Sequence, residues 1–327
     1  MEQTDRVLKA VGAWLFLIVL SVAAAAVTIA LVNKYQYGPE TDVKAYFDAL
    51  QAGDGAAALG ALNAEVPDSN AALLDGEPLE AAAEKLDDVE ISTVSSTSDQ
   101  AVVRADYTLD GQEHSSEFTL HPADTQWGFF TVWDFDRTTL PTMHVTMAGS
   151  TSVDINGESV ALTDSARDFA VFYPGIYTGS YTSPMVTAEP EQTLVTDPDA
   201  ETDLTLDASP SDELKSQASE QIKTYLDTCA EQDTLYPAGC PFSYEFSGRV
   251  QDSVKWSIIE YPTTEIRLSG PNVDRWGLMD APGTAKIEFI SVNLLDGKTS
   301  QVSEEVPFTF KGTLEVTEEE ATVTPRH

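Results

Sequence analysis

The stretch "AVVRADYTLDGQEHSSEFTLH", residues 101–121, decides the fold class of this chain. Apolar or small side chains recur at every second position from Ala101 to Leu109, and mostly polar side chains stand between them. An alternation of period two predicts a strand with one buried face. Asp110-Gly111 follows directly, and these residue types accept the positive φ angles of a tight hairpin turn. We therefore predict an antiparallel β-hairpin.

Three short helical patterns precede this hairpin. Val43, Phe47 and Leu50 recur at helical spacing, and the run 56–62 predicts a second helix after a Gly-Asp-Gly stop. A third apolar face is formed by Leu79, Ala82, Ala83 and Leu86. A further strand is predicted at "WGFFTVWDF", which follows the hairpin. Helices followed by antiparallel strands predict an α+β domain over residues 39–140.

The next two segments lack a helical period. Residues 141–190 contain short strand-like runs with turns at Asn156-Gly157 and Pro174-Gly175, which predicts a small all-β module. Residues 191–210 are strongly acidic. We predict an acidic linker there, or else an irregular edge with short strands at "TLVT" and "DLTL".

A second helix-led domain is predicted over residues 211–327. Ser209 is the expected cap and Pro210 suits the first turn of the helix. One apolar stripe along this helix is formed by Leu214, Ala218, Ile222, Tyr225, Leu226 and Cys229. Several strand patterns follow, with a hairpin turn at Asp296-Gly297. The order of helix and then strands repeats that of the first domain.

The amino-terminal region predicts a membrane anchor. Residues 11–32 hold no charged side chain and span about 33 Å as a helix, which matches the hydrocarbon thickness. A cleaved signal peptide is the alternative, since Ala23–Ala26 resembles a cleavage site. The apolar run continues to Val32, which favours an uncleaved helix. Residues 1–10 form the expected cytoplasmic tail, and without a cysteine they cannot form a zinc ribbon.

The net charge excludes some partners. The chain carries 54 Asp and Glu against 18 Lys and Arg, a formal net charge of −36. Binding to nucleic acid requires cationic side chains that displace phosphate counterions. We therefore expect no nucleic acid partner, and anionic lipid headgroups are disfavoured for the same reason.

The two cysteines bear on topology. Cys229 ends the predicted helix, and Pro237 and Gly239 turn the chain so that Cys240 approaches it. Oxidising compartments retain disulfides. Basic residues flank the apolar run equally, so we predict a Cys229–Cys240 disulfide and use it to place the carboxy-terminal mass outside the membrane. Two free buried thiols are the alternative.

No catalytic, cofactor or metal signature is present in the sequence. A calcium loop is suggested by Asp197, Asp199, Glu201 and Asp203, but Thr202 and Ala208 replace the required Gly and Glu. The four histidines lack zinc spacing and are predicted to be ordinary surface or strand residues: His114, His121, His144 and His327. Asp106 and His114 flank one hairpin and are the alternative catalytic pair.

Aromatic residues offer one further alternative. Core packing is predicted for four tryptophans, namely Trp127, Trp133, Trp256 and Trp276. A carbohydrate-binding platform formed by these tryptophans is the alternative.

One short motif carries a family resemblance. Its residues are Val153, Ile155, Asn156, Gly157, Pro174, Gly175 and Tyr177. This module, with the anchor and helix-led domains around it, resembles the TcaA-type membrane proteins of Gram-positive bacteria, which are associated with teicoplanin response. The flanking domains look like the cone-shaped nuclear-transport-factor-like fold. The stretch around both cysteines is similar to predicted single-pass proteins of high-GC Gram-positive bacteria.

The resemblance and the residues together predict a function. We expect a non-enzymatic, single-pass protein of the cell membrane with extracytoplasmic domains, acting in envelope interaction or homeostasis. Its expected partners are an envelope protein or a neutral glycan. The alternative is a ligand-binding or enzymatic cone domain that acts on a small apolar molecule.

Overall fold

The amino terminus is a single long helix. The computed structural model describes residues 2–128, 130–199, 201–269 and 275–326. Helix α1 (Glu2–Gln36) contains the segment Gly12–Val32, which is long and apolar enough to cross a membrane and is not buried against protein. The apolar helix predicted at residues 11–32 is therefore present.

The first folded region has helices on one side of an antiparallel sheet. The helices are α2 (Pro39–Gln51), α3 (Gly55–Leu62) and α4 (Glu77–Ala83). The strands are β1 (Ala64–Glu65), β2 (Leu86–Ser96), β3 (Ala101–Leu109), β4 (Gln112–Gln126) and β5 (Phe130–Phe135). Strands β2 to β5 pair in sequence order. The α+β class is confirmed.

The predicted hairpin is confirmed in detail. Every second side chain of β3 from Ala101 to Leu109 is buried, and the turn residues Asp110 and Gly111 have φ of 51° and 76°. Two expectations nearby are wrong. Leu86 begins β2 instead of extending the third helix, and the predicted strand at residues 127–135 begins only at Phe130 because Trp127 and Gly128 form a turn.

At the start of helix α3, the backbone of Gly55 lies very close to the backbone of Leu74. The N–H of Gly55 donates to Asp75 Oδ1 at 2.9 Å, and the N–H of Gly76 donates to the carbonyl of Gly53. A Cβ atom on Gly55 would lie 1.9 Å from the carbonyl oxygen of Leu74. Glycine is therefore required there for lack of space, whatever its backbone freedom.

The middle of the chain forms two small sheets. Its strands are β6 (Thr138–Thr139), β7 (Thr142–Met147), β8 (Ser152–Ile155), β9 (Glu158–Ala161), β10 (Ala166–Ala170), β11 (Gly175–Thr182), β12 (Val186–Val195), β13 (Thr202–Leu206) and β14 (Ala208–Pro210). One sheet has the order β10-β7-β13 and the other β14-β12-β11-β8-β9. The short pair β1-β6 joins this part to the first region.

Most of the segment 191–210 is built into these sheets. Strand β13 pairs in parallel with β7, and Leu204 and Leu206 are buried. The described part of this segment therefore follows the alternative of short strands instead of a free linker. Strand β14 also pairs with β12, which places Ser209 and Pro210 in a sheet and moves the helix cap to Ser211.

The motif that carries the family resemblance forms two turns, and a side-chain hydrogen bond holds each of them. Asn156 has φ of 49°, and its side-chain amide donates to the carbonyl oxygens of Pro78 and Ile176. Tyr177 Oη donates to the carbonyl of Phe172 at 2.9 Å across a turn with a cis Tyr173–Pro174 bond. These turns fasten the β module to helix α4.

The last region is a helix followed by strands. Its elements are α5 (Asp212–Ala230), β15 (Arg249–Val250), β16 (Lys255–Glu260), β17 (Ile266–Ser269), β18 (Arg275–Leu278), β19 (Ala281–Val292), β20 (Thr299–Val316) and β21 (Ala321–Arg326). The main sheet has the order β15-β19-β20-β21, with β16 also on β19, while β17 and β18 form a separate hairpin. Cys229 and Cys240 are joined by a disulfide with Cα atoms 5.8 Å apart.

Helix α5 belongs to two hydrophobic cores. Leu214 and Ala218 pack in a first core shared by the helical region and the β module. Ile222, Leu226 and Cys229 pack in a second core with the carboxy-terminal sheet. The helix therefore joins the two cores without an intervening loop.

Candidate functional site

Several turns meet around one buried tryptophan. Trp276 of β18 faces the turn between β7 and β8, the turn between β9 and β10, the β11–β12 hairpin and the β20–β21 turn. They enclose a cleft of about 310 Å³ lined by Gly149, Ser150, Thr151, Ser165, Tyr181, Ser183, Val186, Trp276, Val316, Thr317 and Glu318. Turns held by rigid sheets are common positions for binding residues.

Gly149 permits the close approach of the first turn. It has φ of 77°, and a Cβ atom there would lie 2.5 Å from Leu268 Cδ2 and 3.2 Å from Trp276 Nε1. Both the conformation and the space require glycine. The indole edge of Trp276 is therefore brought directly to the backbone of this turn.

Three hydroxyl groups of the cleft form hydrogen bonds within the turns that carry them. Ser150 donates to the carbonyl of Ser152, Ser183 to that of Val186, and Thr317 to that of Glu320. Each hydroxyl also accepts one backbone N–H and keeps one further lone pair. The lining thus presents fixed acceptor groups with little freedom to reorient.

Trp276 contributes its indole ring to this lining, and its ring nitrogen is buried. Its side chain is 9% exposed, and Nε1 is buried with no hydrogen-bond partner among the described residues. A buried donor without a partner costs about 1–3 kcal/mol, so such groups are rare in folded proteins. By contrast, Nε1 of Trp256 donates to the carbonyl of Thr234 at 2.8 Å. The cleft therefore offers a ligand the acceptor oxygens of its hydroxyl groups and the ring of Trp276, whereas Nε1 itself is covered by the turn at Gly149.

Core packing is predicted for the other tryptophans as well, and one of them differs from this prediction. Trp256 and Trp276 are buried and Trp133 is half-buried. Trp127 is 80% exposed, so the expectation of core packing is wrong for this residue. It occupies the turn between β4 and β5, where no core element covers it.

The predicted alternative pair lies in a second cleft. Asp106 and His114 both line a groove of about 630 Å³, together with Asp88, Glu90 and Glu113. His114 stacks on Tyr107 with ring centroids 6.1 Å apart, and its Nε2 is buried without a partner in the described chain. Burial raises the pKa of the Tyr107 hydroxyl above its usual value. The carboxylates make this groove acidic instead of apolar.

The remaining predicted polar residues lie apart from both clefts. His121 and His144 contact Asp136 and Asp168, each at 2.6 Å on the surface. His327 lies outside the described residues. The described residues contain no cluster of three His, Cys, Asp or Glu side chains that could hold a metal ion.

A third group of interest lies where α1 meets α2. Asp42 of α2 lines a cleft of about 440 Å³ with Gln36, Tyr37, Asp124 and Trp133. Burial and the nearby negative charge of Asp134 raise the pKa of the Asp42 carboxyl from 3.8 to about 6. The folded chain therefore binds this proton more tightly than the unfolded chain does.

The raised pKa of Asp42 predicts that Asp42→Asn increases the stability of the fold, by an amount that depends on pH. Because the pKa of Asp42 is raised on folding, its ionisation lowers stability as the pH rises from about 4 to about 6, and the loss persists above. Since the side chain is partly exposed, we expect this substitution to raise the free energy of unfolding by about 1 kcal/mol at pH 7.5. The gain should vanish near pH 4 in denaturant titrations. Asp48→Asn on the same helix, where Asp48 pairs with Lys44 at 2.8 Å, should show no gain at either pH.

No family model matches this chain, and no curated protein or solved structure matches it. The resemblance to TcaA-type proteins therefore stays a prediction.

Proposed function

We propose that this chain is a non-enzymatic, single-pass membrane protein whose extracytoplasmic domains bind a neutral glycan of the cell envelope. The observation that carries the proposal is a cleft lined by hydroxyl groups and by the indole ring of Trp276. A role in envelope homeostasis, as in the TcaA-type proteins that the chain resembles, follows from binding at that place.

The chemistry of the cleft favours uncharged, hydroxyl-rich ligands. A sugar hydroxyl donates to the fixed acceptor oxygens of the cleft, and the indole ring gives the sugar a flat apolar surface to pack on. A phosphate or carboxylate group offers only acceptors and would face Glu318 and a chain of net charge −36. Neutral glycans therefore fit better than anionic polymers.

The apolar segment of α1 and the disulfide support the proposed location. A helix of this length and composition spans a membrane, and disulfides persist outside the reducing cytoplasm. The proposed arrangement is a cytoplasmic amino terminus and an extracytoplasmic carboxy-terminal mass.

The test is glycan binding by the full-length protein in nanodiscs. We expect neutral oligosaccharides to bind and anionic ones to fail on the same array. Trp276→Phe should weaken binding about tenfold, because the smaller ring loses apolar contact area with the ligand. Trp256→Phe is the matched control, because it loses a buried bond in the other core and should keep the affinity.

Two results would contradict the proposal. One is equal binding by the protein with Trp276→Phe and the unmodified protein. The other is competition for the cleft by extended peptides but by no oligosaccharide, which would assign it to a protein partner.

The alternative function is a cone-shaped enzymatic or ligand-binding domain in the first region. It is favoured by the shared groove of Asp106 and His114 and by Nε2 of His114, which has no hydrogen-bond partner among the described residues. Several carboxylates line that groove, which suits a small apolar molecule poorly. The Trp276 cleft is therefore the better supported site.

A further inference from the structure

An exposed aromatic turn lies beside the end of the membrane helix. Strand β4 ends at Gln126 and β5 begins at Phe130, with Trp127 and Gly128 between them at φ of 57° and 70°. Trp127 is 80% exposed. Phe130 stacks on Tyr37, directly after α1, with ring centroids 4.7 Å apart.

The contacts show which way this hairpin points. At the base of β5, Asp134 acts electrostatically on Asp42 of α2. Near the tip, Phe130 contacts Tyr37, five positions earlier along the helices than Asp42. The hairpin therefore lies along the junction of α1 and α2, with its tip on the side of α1.

Simple distances place the tip at the membrane surface. Tyr37 follows Val32 by five residues, which is about 7.5 Å along a helix. Trp127 lies one residue beyond the Gln126–Phe130 pair, in the turn at the tip of the hairpin. The headgroup layer on each side of a bilayer is about 5–7 Å deep. The tip of the hairpin, which contacts Tyr37, therefore lies about one headgroup depth from the apolar segment.

We propose that Trp127, Phe130 and Tyr37 form an aromatic foot that inserts into the headgroup layer of the bilayer that α1 spans. Tryptophan and tyrosine favour this layer because their rings are apolar and their N–H or O–H groups bind water and headgroups. Asp42, Asp124 and Asp134 lie next to the foot, so its partner is an uncharged or zwitterionic headgroup. The proposal rests on the membrane anchoring in the proposed function.

A second contact with the bilayer fixes the orientation of the exterior. A single helix permits rotation and tilting of the domains about their tether. With the foot inserted, the sheet β2–β5 has one defined edge at the membrane. The Trp276 cleft is then presented at a constant height and direction above the bilayer.

Tryptophan quenching by brominated lipids tests the foot. The full-length protein would be placed in phosphatidylcholine vesicles with bromine atoms close to the headgroup. Of the five tryptophans, Trp14 lies in α1 and Trp127 in the foot. We expect Trp127→Ser to reduce the quenched emission to about half, because two of these indoles contact lipid in the unmodified protein. Leu295→Ser, at a site 97% exposed in another turn, should leave quenching unchanged.

The outcomes separate the foot from the anchor. If Trp127→Ser leaves quenching unchanged while the Trp14 signal persists, the foot is wrong and the anchor stands. Loss of all quenching in the unmodified protein would overturn the anchor and the foot together. Retained glycan binding by Trp127→Ser would show that the variant is folded.

Discussion

Replacing Gly55 with alanine is expected to lower the free energy of unfolding by about 3–4 kcal/mol. The new Cβ atom would lie 1.9 Å from the carbonyl oxygen and 2.9 Å from the carbonyl carbon of Leu74. Both atoms belong to the backbone, so no side-chain rotation relieves the overlap. Helix α3 must move away from residues 74–76, and the hydrogen bond from Gly55 to Asp75 is lost.

Gly60 in the same helix provides a matched control. It is exposed, and no atom lies within 4 Å of the position its Cβ would take. Gly60→Ala should therefore stabilise the protein by about 0.5–1 kcal/mol through helix propensity. Denaturant titrations of both variants give the comparison. Equal effects of the two substitutions would mean that the close approach of α3 to Leu74 is absent in solution.

Reduction of the Cys229–Cys240 disulfide is expected to cost about 3 kcal/mol of stability in the chain-entropy model, given its short loop. The bond connects the end of α5, where Cys229 is buried, to the segment that leads into Phe242 of the second core. Guanidinium unfolding with and without reductant measures this directly. A variant with alanine at both cysteines should not respond to reductant.

The same cysteines test the topology in intact cells. If the carboxy-terminal mass is extracytoplasmic, an alkylating reagent alone should label neither cysteine. A membrane-impermeant reductant should then make both available to a membrane-impermeant maleimide. Labelling of both thiols without reductant would contradict the disulfide and the proposed orientation.

The sequence predicts local features of this fold well. The alternation at Ala101–Leu109, the Asp110-Gly111 turn and the apolar run of α1 depend on neighbouring residues, and each appears as expected. The helix from residue 212 is also predicted, but its cap is not. Ser209 pairs with Thr187 in a sheet, and this long-range pairing prevents it from acting as the cap.

Features that depend on distant residues escaped prediction. The acidic composition of residues 191–210 suggested a linker, yet β13 finds its partner in β7, about 60 residues earlier in the chain. The Trp276 cleft is assembled from turns that are far apart in sequence. Whether an indole N–H has a partner is decided only when those turns meet. The tryptophan pattern alone does not distinguish Trp276, which is buried beside the cleft, from Trp127, which is exposed.

The sharing of α5 between two cores has a mechanical consequence. Its 19 residues form a rod about 28 Å long, with side chains of one end embedded in each core. A flexible connection would lengthen under tension and absorb it. This rod instead couples the second core to the first without a flexible joint. The separation of the two cores is therefore set by the length of one helix.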